Sequence, residues 1–367
     1  MDREHQAQSA GGRERSRLTQ VVNLALYGAG IGLFVYLLET SGLTLGMIKD
    51  VGWGVPVALV ALYGLVAAID AGAWYVAARP AYRPSFHGLL VLRTGGEALT
   101  NGLPGGLVFG EAYKALMLRR WYGTSVSTSA PSLIALKFAL GYSQALFVMA
   151  GLTLCFGLLR ARSVDVFGLA GLEWISFAVI CAMCLFMGFP LLLYARGQSF
   201  TGLVDALARL PFPRLAAWLT RRREAFVELD RGCAQILGGE RRRLLAVFGI
   251  SLLRWLVSVA ETVVILWAIG VDVNLETAFV IEAVGSAFRL VFFLVPSGIG
   301  GVDASIFALF SLYGLPSPAA GLFIVLKRLR ELAWIGLGFA LVAITRQARD
   351  AAPRVPSPAG AVPHVKL

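Results

Sequence analysis

The chain has 367 residues, of which 57% are hydrophobic and 15% charged, and it carries a formal charge of +11. Apolar runs near the roughly 20 residues that span a bilayer recur along it, which excludes a soluble globular fold and predicts an all-α polytopic integral membrane protein. The basic residues concentrate in loops that one face of a membrane would share, so the charge points to anionic membrane lipid as the partner and not to nucleic acid.

Residues 1–20 read as a polar cytoplasmic tail, followed by a membrane domain over 21–345. The first apolar run, Val21–Leu38, lacks a convincing small-residue cleavage site and reads as a retained anchor. A second span over Gly54–Ala78 contains Asp70, which must face the protein interior. Residues 88–120 are interrupted by Arg93, Gly95, Gly96, Glu97 and Asn101 before Pro104, so a broken or re-entrant hairpin is expected there. The third span covers about 131–159, with Lys137 near its start, and the fourth about 174–195. Residues 196–243 hold ten arginines against five acids, the strongest cytoplasmic signal in the chain. Within this segment Leu215, Trp218, Leu219, Phe226, Leu229, Cys233, Ile236 and Leu237 fall near helical spacing, with Arg221, Arg222 and Arg223 on the polar side. Two readings stand for it: an interfacial amphipathic helix, or a helix docked on the rest of the protein. The fifth span, about 244–269, carries Arg254 and Glu261 two turns apart, predicting a buried ion pair bridged by other groups. A second broken segment over 277–312 contains Glu282, Arg289, Pro296 and Asp303. The sixth span runs from about 318 to 344, and 346–367 reads as a cytoplasmic tail. The loops near Lys49, near Arg162 and around Asp272 are expected on the outer side.

The two broken segments are loose copies of one unit. Leu103-Pro104-Gly105-Gly106, followed by Glu111, Tyr122-Gly123 and Lys137, recurs as Val295-Pro296-Ser297-Gly298-Ile299-Gly300, followed by Asp303, Tyr313-Gly314 and Lys327. Lipid does not tolerate the free backbone that a Pro-Gly break leaves, so each break must sit inside protein or line a wet cavity. With hairpins that return, the chain has about six full spans; if both hairpins cross, eight helices do. Under either count the helices bearing Lys137 and Lys327 run antiparallel, which predicts inverted repeats, one over about 54–159 and one over about 244–345, with a substrate site between them.

The sixth span places Lys327, Arg328, Arg330 and Glu331 at mid-helix, where they cannot face lipid. Lys327, Arg330 and Glu331 share a face by i, i+3 and i+4 spacing. A surplus of guanidinium over acids would bind an anion such as a phosphate headgroup. Alternatively, a buried network with Glu261, Glu282 or Asp303 would only fix helix packing. Glu111 and Asp303 fit coupling or gating, or N-terminal capping of the second hairpin helices. The glycines at the breaks, Gly105, Gly106, Gly298 and Gly300, either present N–H groups to an anion or only permit tight turns. Four cysteines without nearby histidines, and His5, His87 and His364 far apart, support no metal site, cofactor or hydrolytic triad.

Pro104-Gly105-Gly106 with Gly110-Glu111, the later Val295-Pro296-Ser297-Gly298-Ile299-Gly300, and Leu326-Lys327-Arg328-Leu329 resemble the lysylphosphatidylglycerol synthase transmembrane region, a flippase-like family. The Lys-Arg-Leu-Arg-Glu run is similar to a branch associated with hopanoid lipid genes. The resemblance implies lipid translocation; the residues themselves then read as a lipid flippase or transporter of the bacterial inner membrane, with Lys137, Lys327, Arg328, Arg330 and Lys114 expected toward the substrate and Glu111, Asp303, Glu331 and Glu261 in coupling or gating. Lys114 stands where the family usually has arginine. The bifunctional members add a soluble aminoacyltransferase domain; this chain ends at Leu367, so lysyl transfer is not expected. The rival readings are a membrane scaffold or accessory protein that recruits lipid-biosynthesis enzymes or forms a homo-oligomer, and, with less support, an intramembrane lipid-modifying enzyme.

Overall fold

A computed structural model describes residues 25–351, except 104–105, 125, 196–199, 210, 212, 222, 225, 228–229, 232–240 and 293–294. The expectations resting on Pro104, Gly105, Arg222 and both tails beyond these limits lie outside the described residues. All regular structure among the described residues is helical. In order the helices are α1 (Ala25–Thr40), α2 (Leu45–Asp50), α3 (Gly54–Tyr82), α4 (Phe86–Gly102), α5 (Gly106–Tyr122), α6 (Val126–Phe167), α7 (Leu172–Ala195), α8 (Phe200–Leu207), α9 (Pro213–Arg221), α10 (Arg241–Ala268), α11 (Leu275–Val291), α12 (Gly301–Tyr313) and α13 (Ser317–Ala351). Stretches of α3, α6 and α10 are each long and apolar enough to cross a membrane. The apolar parts of α1, α7 and α12 are shorter, and α13 carries its charges at mid-length.

Local signals set several helix ends. Thr44, Ser85 and Asn274 accept from the backbone N–H groups of Met47, Gly88 and Thr277, which satisfies donors that a helix start leaves open. Gly314 ends α12 in the left-handed conformation, with φ of 70°. Trp53, Trp174 and Trp267 are all exposed; they sit at the start of α3, near the start of α7 and near the end of α10, as interfacial anchors do.

Helices α3 and α10 pack side by side. Asp70 meets Arg254, while Tyr63 and Glu261, about two turns further toward the tryptophan end, both contact Arg330. The two helices are therefore antiparallel. Two apolar clusters hold the bundle together. One joins α6, α10, α11, α12 and α13 through Val148, Ile265, Ile281, Phe310 and Phe323; the other joins α3, α4, α5, α6 and α10 through Trp74, Leu89, Leu92, Leu118 and Val247.

Each interrupted segment is a helical hairpin. In the first, α4 packs along α5. Its base is closed by Ser85 Oγ and Tyr122 OH at 3.2 Å. A Cβ on Gly106 would lie 2.3 Å from the carbonyl oxygens of Leu99 and Thr100, and one on Gly110 would lie 2.4 Å from the Gly96 carbonyl. Close packing, as at small-residue seams between membrane helices, therefore accounts for both glycines. In the second hairpin the turn over Pro296–Gly298 holds Ser297 at φ 52°, Gly298 at 59° and Gly300 at 82°. A Cβ on Gly300 would meet the Gly30 carbonyl of α1 at 2.5 Å, so this tip is wedged against a helix flank.

Three features differ from the sequence reading. The third span is part of a 42-residue helix, and Arg162 lies inside α6, not in a loop; its Nη1 donates to the Leu312 carbonyl at the end of α12, 2.8 Å away. Arg254 and Glu261 do not bridge to each other but take separate partners on other helices. The described part of 196–243 begins with two short helices, α8 and α9, that pack together; Arg223 is paired with Asp205 at 2.9 Å, and Leu219 is buried while Trp218 is exposed. Pro211 and Pro213 separate α8 from α9, so the helical spacing that begins at Leu215 starts in α9.

Candidate functional site: a charged cavity at the hairpin tips

The tips of the two hairpins meet. Ser297 Oγ donates to the Asn101 carbonyl at 3.3 Å, joining the second break to the last turn of α4. A cavity of about 570 Å³ opens beside this contact; its wall includes Tyr63 of α3, Glu97 and Asn101 of α4, Arg254 of α10, Glu282 and Arg289 of α11, Asp303 of α12, and Lys327, Arg328, Arg330 and Glu331 of α13. Arg330 is 13 residues into α13, about 20 Å along it at the helical rise, and Arg254 is midway along α10. Both hairpins and the long helices thus converge on the middle of the bundle.

Five cations and four carboxylates line the cavity, and all but a few are tightly paired. Arg328 is the most heavily engaged. Its guanidinium donates to both oxygens of Asp303 at 2.8 Å, to the Ser297 carbonyl at 3.0 Å and to Glu331 Oε2 at 2.7 Å. Such a fork holds a carboxylate in one orientation. Lys327 is bound to Glu282, and Thr262 completes that group. Arg330 pairs with Glu261 at 3.1 Å and lies 4.4 Å from the Tyr63 ring centre. Arg93 lies over the same ring at 5.4 Å; it binds Asp70 at 2.7 Å and approaches Glu97 at 3.6 Å. Arg254 shares Asp70 at 3.0 Å.

The expected neutralisation of Lys327 and Arg330 by Glu331 is corrected by these pairings: Glu331 serves Arg328, one position away from that face. Nor do the cations form a surplus. With Asp70, Arg93 and Glu261 just behind the wall, six basic groups face six acids. Asp303 both caps and pairs, since its Oδ2 accepts from the Gly300 N–H at 2.8 Å. Glu111 lies in the second turn of α5 and, among the described residues, bridges Lys114 at 3.0 Å and Lys137 at 2.6 Å. The two hairpins thus share one device, a carboxylate on the second hairpin helix held by a cation of the next long helix. Arg328, not Lys327, is the spatial counterpart of Lys137. Gly106, Gly298 and Gly300 serve tight packing or turn geometry as described above, while Pro296 opens the turn.

Sequence reasoning did not single out Tyr63. Aromatics are common in apolar spans, and only the fold brings this ring within 5.4 Å of Arg93 and 4.4 Å of Arg330, with its hydroxyl 3.4 Å from Glu97. Among the described residues no group of three His, Cys, Asp or Glu is arranged to hold a metal ion.

Comparison with known proteins supplies one match. The family model described as the lysylphosphatidylglycerol synthase TM region matches residues 20–339. No curated protein and no solved structure matches the chain. The match covers both hairpins, the cavity they enclose and nearly all of the helical bundle, so the chain belongs to the lysylphosphatidylglycerol synthase transmembrane-region family and is a multi-pass membrane protein related to lipid handling.

Proposed function

We propose that the protein is a lipid flippase or transporter of the bacterial inner membrane, and not an enzyme, exposing the midplane cavity alternately to the two leaflets. The observation that carries this reading is the meeting of the two hairpin tips beside a charged cavity of about 570 Å³. Because α3 and α10 are antiparallel, the hairpins that follow them enter from opposite ends of the bundle, as inverted repeats with re-entrant hairpins would. Their helices also support this reading: at 17 residues α4 and α5 are each about 25 Å long, short of the roughly 30 Å hydrocarbon thickness.

In this reading each hairpin is a gate anchored to the next long helix, the first through Glu111 to Lys137 and Lys114, the second through Asp303 to Arg328. Opening one gate separates one anchor while the other holds. On the α13 side Lys327, Arg328 and Arg330 line the cavity with each charge held by a carboxylate, Glu261 on Arg330 and Glu331 together with Asp303 on Arg328. The termini and the 196–243 segment are assigned to the cytoplasm by their arginines.

The test is a cross-link between the tips. The full chain carrying Asn101→Cys and Ser297→Cys is reconstituted into vesicles with fluorescent phosphatidylglycerol, and lipid movement is followed by quenching of the outer leaflet. Oxidation should stop protein-dependent movement and reduction should restore it. Movement at the same rate in the oxidised, cross-linked protein would refute alternating access, and no protein-dependent movement of any anionic phospholipid would refute transport.

A further inference from the structure

Among the cations of the cavity wall, Arg289 stands apart. Arg328, Lys327, Arg330 and Arg254 each hold a carboxylate within 3.1 Å and are largely buried. The Arg289 side chain is 46% exposed, and its nearest carboxylate oxygen, on Glu282, is 4.0 Å away. Glu282 is already neutralised by Lys327. The guanidinium is permanently charged, has no hydrogen-bond partner among the described residues, and is part of the cavity wall. Across the tips, Asn101 also lines the cavity; its carbonyl is taken by Ser297, but its side-chain amide has no partner among the described residues. Glu97 is the matching loosely held acid, but it keeps two donors, Arg93 at 3.6 Å and Tyr63 at 3.4 Å.

We infer that Arg289, aided by the Asn101 amide, is the phosphate contact of this cavity, and that the tightly paired cations frame the site without making the first contact. This rests on the reading of the cavity as the transport site and adds the residues that would recognise the cargo. A guanidinium fork suits two phosphate oxygens, and a half-exposed cation can exchange water for ligand without first breaking an ion pair. The placement also ties binding to motion, because Arg289 stands one turn before the second break and Asn101 just before the first. A phosphate held by both would bridge the two gates.

Thermal unfolding of the detergent-purified full chain tests this with three probes: dioctanoyl phosphatidylglycerol, dioctanoylglycerol, which lacks the phosphate, and inorganic phosphate. The wild type should be stabilised by the phospholipid and not by dioctanoylglycerol. Arg289→Gln should melt as the wild type does without ligand but need about tenfold more phospholipid for the same shift, the scale of a lost charged hydrogen bond. Asn101→Ala should show a smaller loss in the same direction. An equal phospholipid response in wild type and Arg289→Gln overturns the assignment, and so does an Arg289→Gln protein that fails to fold, since an uncommitted cation is not needed for folding. Stabilisation by inorganic phosphate as strong as that by the phospholipid, and lost in Arg289→Gln, keeps the phosphate site but assigns it to a soluble ligand. A wild type that ignores all three probes fails the transport reading itself.

Discussion

Glu261→Gln asks whether the buried cations are structural. The Glu261 and Arg330 side chains are 3% and 7% exposed, and the pair is joined at 3.1 Å between α10 and α13. Arg330 also rests on the Tyr63 ring, which covers part of its charge. Taking away one member of such a pair strands the other in a dry interior, at a cost of about 3–5 kcal/mol. For a domain of this size each kilocalorie moves the melting point by a few degrees, so Glu261→Gln should melt roughly 10 °C below the wild type. Replacing both residues, as Glu261→Gln with Arg330→Met, removes the stranded charge and should recover much of that loss, giving a coupling term in the double-mutant cycle. Scanning fluorimetry on the full chain in detergent measures all four corners. Wild-type melting for Glu261→Gln, or a double variant no better than the sum of its parts, would refute the claim that Arg330 depends on Glu261.

Two further outcomes follow from the geometry. Gly106→Ala forces a Cβ to within 2.3 Å of two backbone carbonyls of α4, which cannot swing away as a side chain would; it should destabilise the first hairpin by about 1–3 kcal/mol, read as lower melting and faster proteolysis between α4 and α5. In the polar segment, the hydrogen bond from Arg223 holds the Asp205 carboxyl below its usual range. A lowered carboxylate value means that the contact contributes fully above the unfolded value of about 3.9 and is lost as pH falls through the folded one, so acid and high salt should both expose the α8–α9 region to protease, and Asp205→Asn should remove the acid dependence.

Much of this protein is legible in one dimension because lipid is a strict solvent. The long apolar runs become α3, α6, α7 and α10 close to their expected places, and Pro-Gly breaks in apolar surroundings mark both hairpins, since a free backbone carbonyl has nowhere to go but inward. The same strictness brings Asp70, Glu261, Glu282 and Arg330 inside, and all four are buried, with Lys327, Arg328 and Glu331 half-buried at the cavity wall. What spacing along one helix does not determine is who pairs with whom. Lys327, Arg330 and Glu331 share a face of α13, but the carboxylates Glu282, Glu261 and Asp303 arrive from other helices and take Lys327, Arg330 and Arg328, while Glu331 pairs with Arg328. In sequence Arg289 reads like the other arginines, and its looser pairing emerges only once the partners of the other cavity cations are known. The glycines of the breaks divide in the same way: their order predicts an interruption, but whether each serves a turn, a close helix contact or a ligand depends on what packs against it. Here the Leu99 and Gly30 carbonyls decide that. Burial is set by composition along the chain, whereas ion-pair partners and tip contacts are set by distances between segments far apart in sequence, and these exist only once the helices have packed.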